Sequence, residues 1–175
     1  LALKIHTHDP APLLEAAFRR IEAERMAGVP ILNPALRVEA VGFSRWQGHW
    51  LGALITPWFM NLVLVPGPEG EWQSVADGAR IFRHFPAGDY AFLGGNEAEL
   101  GEFQTCALFS PMGLFADQDG VRAVAVAALG MLMVDPSQKE AEAPALKENL
   151  DRLEQVPERR PMSKRQFLGS VFPRG

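Results

Sequence analysis

Cys106 is the only cysteine in the 175-residue chain, and His6, His8, His49 and His84 are scattered around it. Cys106 with His84 supplies the residue types for a thiol nucleophile and its base. The competing reading is that Cys106, inside the apolar run of residues 103–110, is a small buried hydrophobe. His49, flanked by tryptophan-bearing segments, is either a catalytic imidazole or one held in a core or interface. A Cys106/His49 site would make the chain a small-molecule enzyme. Whether these side chains line a concave polar pocket or are sealed in the core decides that question. No CxxC or HxxxH pair is present from which to build a zinc or iron centre, so no metal or other cofactor is expected. Asp117, Gln118, Asp119 and Gly120 look like the start of a calcium loop but lack its later ligands and closing glutamate. Helix capping explains them better.

Other residues have the chemistry of recognition. Glu97, Glu99 and Glu102 lie in an acidic stretch, residues 94–101 and just beyond. Such a stretch is either a solvated loop or a set of carboxylates that takes arginines of a partner in bidentate pairs. Residues 111–115, Pro-Met-Gly-Leu-Phe, form a second apolar loop whose Met112, with nearby Phe109, suits either adaptable peptide binding or plain packing. Near the C-terminus, Ser163, Lys164, Arg165, Gln166, Phe167 and Leu168 resemble a twin-arginine export motif with lysine in place of its first arginine. No hydrophobic segment follows, and the position is wrong for directing export. The segment is either a chance basic tail or a self-mimic that competes with a client for the same site, its effective concentration set by the linker from residue 135.

These residues are organised around residues 46–68, which contain no Asp, Glu, Lys or Arg. Gly48, Gly52, Pro57 and Asn61 interrupt the stretch into apolar runs too short for a bilayer, so no stable membrane insertion is expected. It reads as two strands bent at Pro57, with Leu51, Ala53 and Ile55 on one face and Trp50, Gly52 and Leu54 on the other. Beyond the bend, Trp58, Met60, Leu62 and Leu64 alternate with Phe59, Asn61, Val63 and Val65. A sheet covered on both sides explains such strands; so does one with an apolar face free for a partner. Trp50, Trp58, Phe59 and Met60 are the candidate binding residues here, and the last three are those most expected at the surface.

Around this centre, Asp9 and Pro10 start a helix whose Leu14, Ala17, Phe18 and Ile21 share a face, and Gly28 closes it. Residues 29–34 are a connector. Strands are expected at residues 36–43, 71–73, 90–93 and 103–110, while residues 77–84 carry both helix and strand signals. The nearly all-apolar residues 121–134 form a helix for the buried centre of a layer. Leu146, Leu150 and Leu153 stripe a short amphipathic helix beyond a polar linker, and a basic arm follows. The expected fold class is α+β: a single domain with a mostly antiparallel sheet of five to six strands, an N-terminal helix, a buried helix after the last strand and a C-terminal tail. The domain spans residues 1–134 and the tail 135–175.

At 47% hydrophobic and 22% charged, the composition is that of a globular domain. Net charge is −4, but residues 158–175 hold five basic residues against one acidic, leaving −8 on residues 1–157. Such a body repels nucleic acid and favours a basic peptide or protein partner. The N-terminus lacks the pattern of a secretory signal, which makes the cytoplasm the default location.

Residues 46–52 (Trp-Gln-Gly-His-Trp-Leu-Gly), 55–60 (Ile-Thr-Pro-Trp-Phe-Met), Pro66-Gly67, 85–88 (Phe-Pro-Ala-Gly) and 108–112 (Leu-Phe-Ser-Pro-Met) together resemble the HybE/HupJ family of [NiFe]-hydrogenase assembly chaperones. The resemblance covers about residues 14–134. It implies a non-enzymatic, cytoplasmic accessory protein in hydrogenase maturation. In some members the client is the twin-arginine signal peptide of the small subunit, held until cofactors are inserted; the large subunit or other maturation factors are the further partners implied. Some relatives carry a rubredoxin domain, but this chain lacks the four cysteines for iron. A homodimer joined by the apolar surface is the remaining expectation.

Overall fold

The computed structural model describes residues 3–137. Its elements are α1 (Ala11–Arg25), β1 (Glu39–Trp46), β2 (His49–Ile55), β3 (Met60–Val65), β4 (Arg80–Phe85), β5 (Gly88–Glu97), β6 (Gly101–Phe109) and α2 (Gln118–Leu132). The six strands form one antiparallel sheet in the order β1-β2-β3-β6-β5-β4. This is the α+β architecture the sequence predicts.

The uncharged stretch supplies β2 and β3 at the centre, and both faces of these strands are buried. On one side Leu54, Val63 and Val65 meet Leu14, Ala17, Phe18 and Ile21 of α1. On the other, Ala53, Ile55 and Met60 meet Val121 and Ala125 of α2, while Leu51, Leu62 and Leu64 pack around Phe85, Phe92 and Leu132. Apart from the half-buried Trp50 and Asn61, the positions in these strands have no solvent to point a charge at. The Pro57 bend is held by Thr56, whose N–H donates to Phe59 O at 2.8 Å and whose Oγ1 accepts the Phe59 N–H at 2.9 Å.

Several local expectations shift. The start of α1 moves by one residue: Pro10 rather than Asp9 is the N-cap and makes no side-chain cap hydrogen bond, while Asp9 Oδ1, one residue earlier, accepts the Ala11 N–H at 2.9 Å. The first strand lies three residues later than its alternation suggests: Gln118 takes the Arg37 N–H and C=O ahead of it, and a bulge between Val41 and Ser44, where Gly42 adopts φ 65°, inserts an extra residue within it. Residues 71–73 form no strand, and residues 80–85 do. The acidic stretch is mostly ladder rather than loop, since β5 runs to Glu97 and β6 begins at Gly101. The second helix is buried along one side only: Val121, Ala125 and Leu132 face the sheet, while Val126 and Met131 are more than half exposed. It is the outer layer over β1 and β2, and among the described residues nothing packs on its far side.

Glu39 of β1 fastens that helix. It accepts from Arg122 Nε at 2.6 Å, Arg122 Nη2 at 3.0 Å and Gln118 Nε2 at 2.7 Å. The Arg122 hydrogen bond, ahead of Gln118 and the Arg37 charge, holds the Glu39 carboxyl below its ordinary pKa despite partial burial. Among the described residues, no helix is long and apolar enough to cross a membrane. The predicted amphipathic stripe of Leu146, Leu150 and Leu153 and the Ser163 to Leu168 motif lie outside the described residues.

Candidate functional site

His49 and Cys106, the chemical candidates, are sealed in the core. His49 is 4% exposed, with Nδ1 accepting the Gly67 N–H at 3.2 Å and Nε2 lying 3.3 Å from Glu71 O. That pairing requires the neutral ring with its proton on Nε2. Burial lowers the His49 pKa, outweighing the opposing Glu71 hydrogen bond, and the charges of Arg83 and Arg45 lower it further. Cys106 packs with Leu62 and Leu132, and burial raises its thiol pKa, the reverse of what a nucleophile needs. His84 is two strands away on β4 and pairs with Asp89 at 2.6 Å. Asp117 Oδ1 accepts the Gly120 N–H at 2.7 Å as a helix cap, and Asp119 pairs with Arg122. Among the described residues no group of three or more His, Cys, Asp or Glu could hold a metal.

These pKa shifts predict how stability depends on acid. The unfolded state gains a proton at His49 near the ordinary histidine value of 6.5, whereas the folded state resists it, so stability falls as pH drops below about 6.5. Glu39 adds a second loss as pH falls below its unfolded value of 4.5 and through its lower folded pKa. Chemical denaturation across pH 4 to 8 checks the window, and His49→Gln should remove the slope between pH 5 and 6.5.

The acidic residues are already matched within the chain. Glu97, with its side chain 13% exposed, meets Arg25 at 2.8 Å and Arg20 at 3.8 Å, and Arg20 also meets Glu99 at 3.1 Å. Glu102 Oε2 accepts from Trp72 Nε1 at 3.0 Å. At Glu97 and Glu99 a partner's guanidinium would have to displace Arg20 and Arg25 of α1.

The aromatic candidates divide. Met60 and Met112 are wholly buried and Trp58 is 8% exposed, which corrects the expectation of Trp58 and Met60 at the surface. The bend turns Trp58 back toward α1, and Met60 enters the layer under α2. Phe59 is half-buried against Phe18 and Trp58. Trp50 is occupied on several sides: its Nε1 donates to His6 O at 2.9 Å, and Arg45 lies 4.2 Å from the ring centroid. Phe109, 36% exposed, touches Phe115 edge-on.

Two open grooves flank the loop that follows β6. One, of about 430 Å³, lies among Leu108, Phe109, Ser110, Pro111, Gly113 and Leu114. The other, of about 510 Å³, is bounded by residues 30–35 and shares Pro111 and Gly113 with the first. Among the described residues no charged side chain lines either groove. Leu114, 76% exposed, and Ile31, 50% exposed, stand out from them. Asn33 joins the two walls, its Nδ2 donating to Met112 O at 3.0 Å and Phe115 O at 2.8 Å while its N–H donates to Pro57 O at 2.9 Å. The Pro57 bend of the central stretch therefore sets the connector, and the connector sets the loop. Sequence reasoning singled out the loop but missed residues 30–35. The available signal was Ile31 and Leu32 between two prolines, apolar residues in a segment with no periodicity to bury them.

Asn33→Ala should lower stability by about 2 kcal/mol, because it removes three hydrogen bonds, those to Met112 O and Phe115 O and the one Oδ1 accepts from Ala35 N–H, and strands the Phe115 carbonyl. Urea denaturation measures this, and faster amide exchange confined to residues 111–116 would show that the loss falls on the loop.

A family profile described as "[NiFe]-hydrogenase assembly, chaperone, HybE" matches residues 9–170. The chain belongs to the HybE family. It is 43% identical over 129 residues to the hydrogenase expression/formation protein HupJ of Bradyrhizobium diazoefficiens, covering 74% of this chain and 75% of that protein. It is also 42% identical over 134 residues to protein HoxT of Cupriavidus necator, covering 70% and 75%. The solution structure of HybE from Escherichia coli superposes with a TM-score of 0.61 over 76% of this chain and 83% of that one, at 24% identity, so the fold is shared. The HybE family assignment places the chain among hydrogenase assembly chaperones, the class the sequence resemblance implies.

Proposed function

We propose that this member of the HybE family binds a [NiFe]-hydrogenase subunit before export, taking the apolar part of the small subunit's twin-arginine signal peptide into the paired grooves around residues 108–116 and 30–35. The observation that carries this reading is the joined, charge-free surface with Leu114 and Ile31 exposed on it. An apolar peptide segment gains from desolvation there, and no buried charge opposes it. Recognition of the peptide's arginines rests on the net acidity of residues 1–157 rather than on Glu97, Glu99 or Glu102 as a preformed clamp, because α1 engages Glu97 and Glu99 and Trp72 engages Glu102. The work is done in the cytoplasm and by binding alone.

Calorimetric titration of the full chain with a hydrogenase small-subunit signal peptide tests the reading. Binding should weaken with added salt only modestly, and a peptide whose apolar run is replaced by serines should not bind. Equal affinity for both peptides would overturn it, and capture of the large subunit in its place would reassign the client.

A further inference from the structure

The two edges of the sheet are treated differently. At the β1 edge, Ala40 N–H donates to Glu15 Oε1 at 3.0 Å. Just before it, Arg37 N–H donates to Gln118 Oε1 at 3.0 Å and Arg37 O accepts from Gln118 Nε2 at 3.3 Å. With the bulge that follows, that edge is closed to another strand.

The β4 edge has none of these devices. A two-residue turn joins β4 to β5 with Phe85 opposite Gly88, and Gly94 N–H donates to Ala79 O at 2.9 Å. Residues 79, 81, 83 and 85 therefore turn their main chain toward β5, while Arg80, Phe82 and His84 point N–H and C=O outward. No group among the described residues caps them. The side chains of these three residues share a face with their β5 partners Leu93, Ala91 and Asp89. That face is open, with Phe82 64% and Leu93 43% exposed. His84 is matched by Asp89, but Arg80 has no carboxylate within ion-pair distance among the described residues.

We infer that β4 is a strand-addition site for an extended segment of a partner protein, with an apolar side chain to lie against Phe82 and an acidic one two positions away to meet Arg80. Main-chain hydrogen bonds supply the affinity of such a mode, and alternate side chains supply the specificity. Charge complementarity favours a partner segment over a second copy of this chain: antiparallel pairing about Phe82 would set Arg80 across from His84 of the other copy, which Asp89 already engages, so no carboxylate would lie directly opposite Arg80. The site uses none of the groove residues, so it adds a second contact with opposite charge preference to the one proposed above.

The probe is a blocked heptapeptide of threonines with Phe at its centre and Glu two positions to either side, added to the full chain while backbone amide exchange is followed by NMR. Exchange at Arg80, Phe82 and His84 should slow about tenfold or more. A peptide N-methylated on its pairing edge should give no protection, and Lys in place of both Glu should weaken binding severalfold. Arg80→Glu should weaken it similarly, and Phe82→Pro, which removes the exposed ring and an outward N–H but no hydrogen bond of the β4–β5 ladder, should abolish it while circular dichroism stays unchanged. Leu114→Asp should leave this binding intact, which separates failure here from failure of the groove. No protection at millimolar peptide would overturn the inference, as would equal protection by the N-methylated peptide. Protection in the peptide-free chain that grows with protein concentration would replace the partner with a second copy.

Discussion

Leu114→Asp should weaken binding of a hydrogenase small-subunit signal peptide about tenfold or more, and Ile31→Asp should do nearly as much. Each side chain stands on the rim of an uncharged groove and is at least half exposed, so its replacement removes apolar contact and sets a carboxylate where the peptide's apolar run would lie. Tenfold corresponds to about 1.4 kcal/mol, well within what one central apolar contact contributes to an interface. Neither change touches the core, and surface substitutions away from special features usually shift stability by about 0.5 kcal/mol or less. The two residues lie in separate grooves, so the double variant should lose roughly the product of the two factors. Calorimetric titration of the single and double variants, beside their thermal midpoints, measures both quantities. Wild-type affinity in the double variant would move the client site elsewhere.

Gly48→Ala should produce the largest loss of stability, about 3 kcal/mol. The β1–β2 turn is made by Gln47 at φ 48° and Gly48 at φ 81°, the paired left-handed geometry of a tight hairpin. A methyl group at Gly48 would meet this backbone penalty and would also lie 2.4 Å from Gly70 N and 2.6 Å from Glu69 C. Those are backbone atoms and cannot swing aside, so the overpacking cost adds to the dihedral cost. For a chain of this length the thermal midpoint should fall by roughly 10 °C. Gly130→Ala is the matched control. It sits in α2 with no atom within 4 Å of the added carbon, and the variant should be slightly more stable than the parent. An unchanged midpoint in Gly48→Ala would mean that the segment carrying Glu69 and Gly70 does not press on the turn.

The layered α+β architecture was legible because its strongest signals are periodic. The stripe of Leu14, Ala17, Phe18 and Ile21 is the buried face of α1, and the alternation in residues 50–55 and 59–65 sorts side chains correctly onto the two faces of the sheet, whereas Trp58 at the bend falls on the α1 side, away from Met60. Register was less legible. A one-residue bulge at Gly42 interrupts β1, and its only local signal is an isolated glycine inside the alternation of residues 36–43. The acidic stretch misled for a related reason: three glutamates near Gly101 suggest a solvated loop, while their partners Arg20, Arg25 and Trp72 are distant in sequence. The Trp58 and Met60 positions show the same limit. A residue beside a proline bend looks available in one dimension, and only the docking of α1 and α2 shows that both faces there are taken. The paired grooves depend on Asn33 reaching across the chain to Met112 and Phe115, a contact no single segment encodes.

The two-sided burial of β2 and β3 also bears on how this chaperone is made. Its α1 and the β1–β3 meander are contiguous in sequence and can assemble as they leave the ribosome. The cover for the second face is α2, which begins only at Gln118. At about 5–20 residues per second, β3 waits roughly 3–10 s for that helix, with Leu51, Ala53, Ile55, Met60, Leu62 and Leu64 presented to solvent. A protein whose family assists the assembly of others therefore passes through a stage of its own synthesis in which it, too, is a client for holding factors.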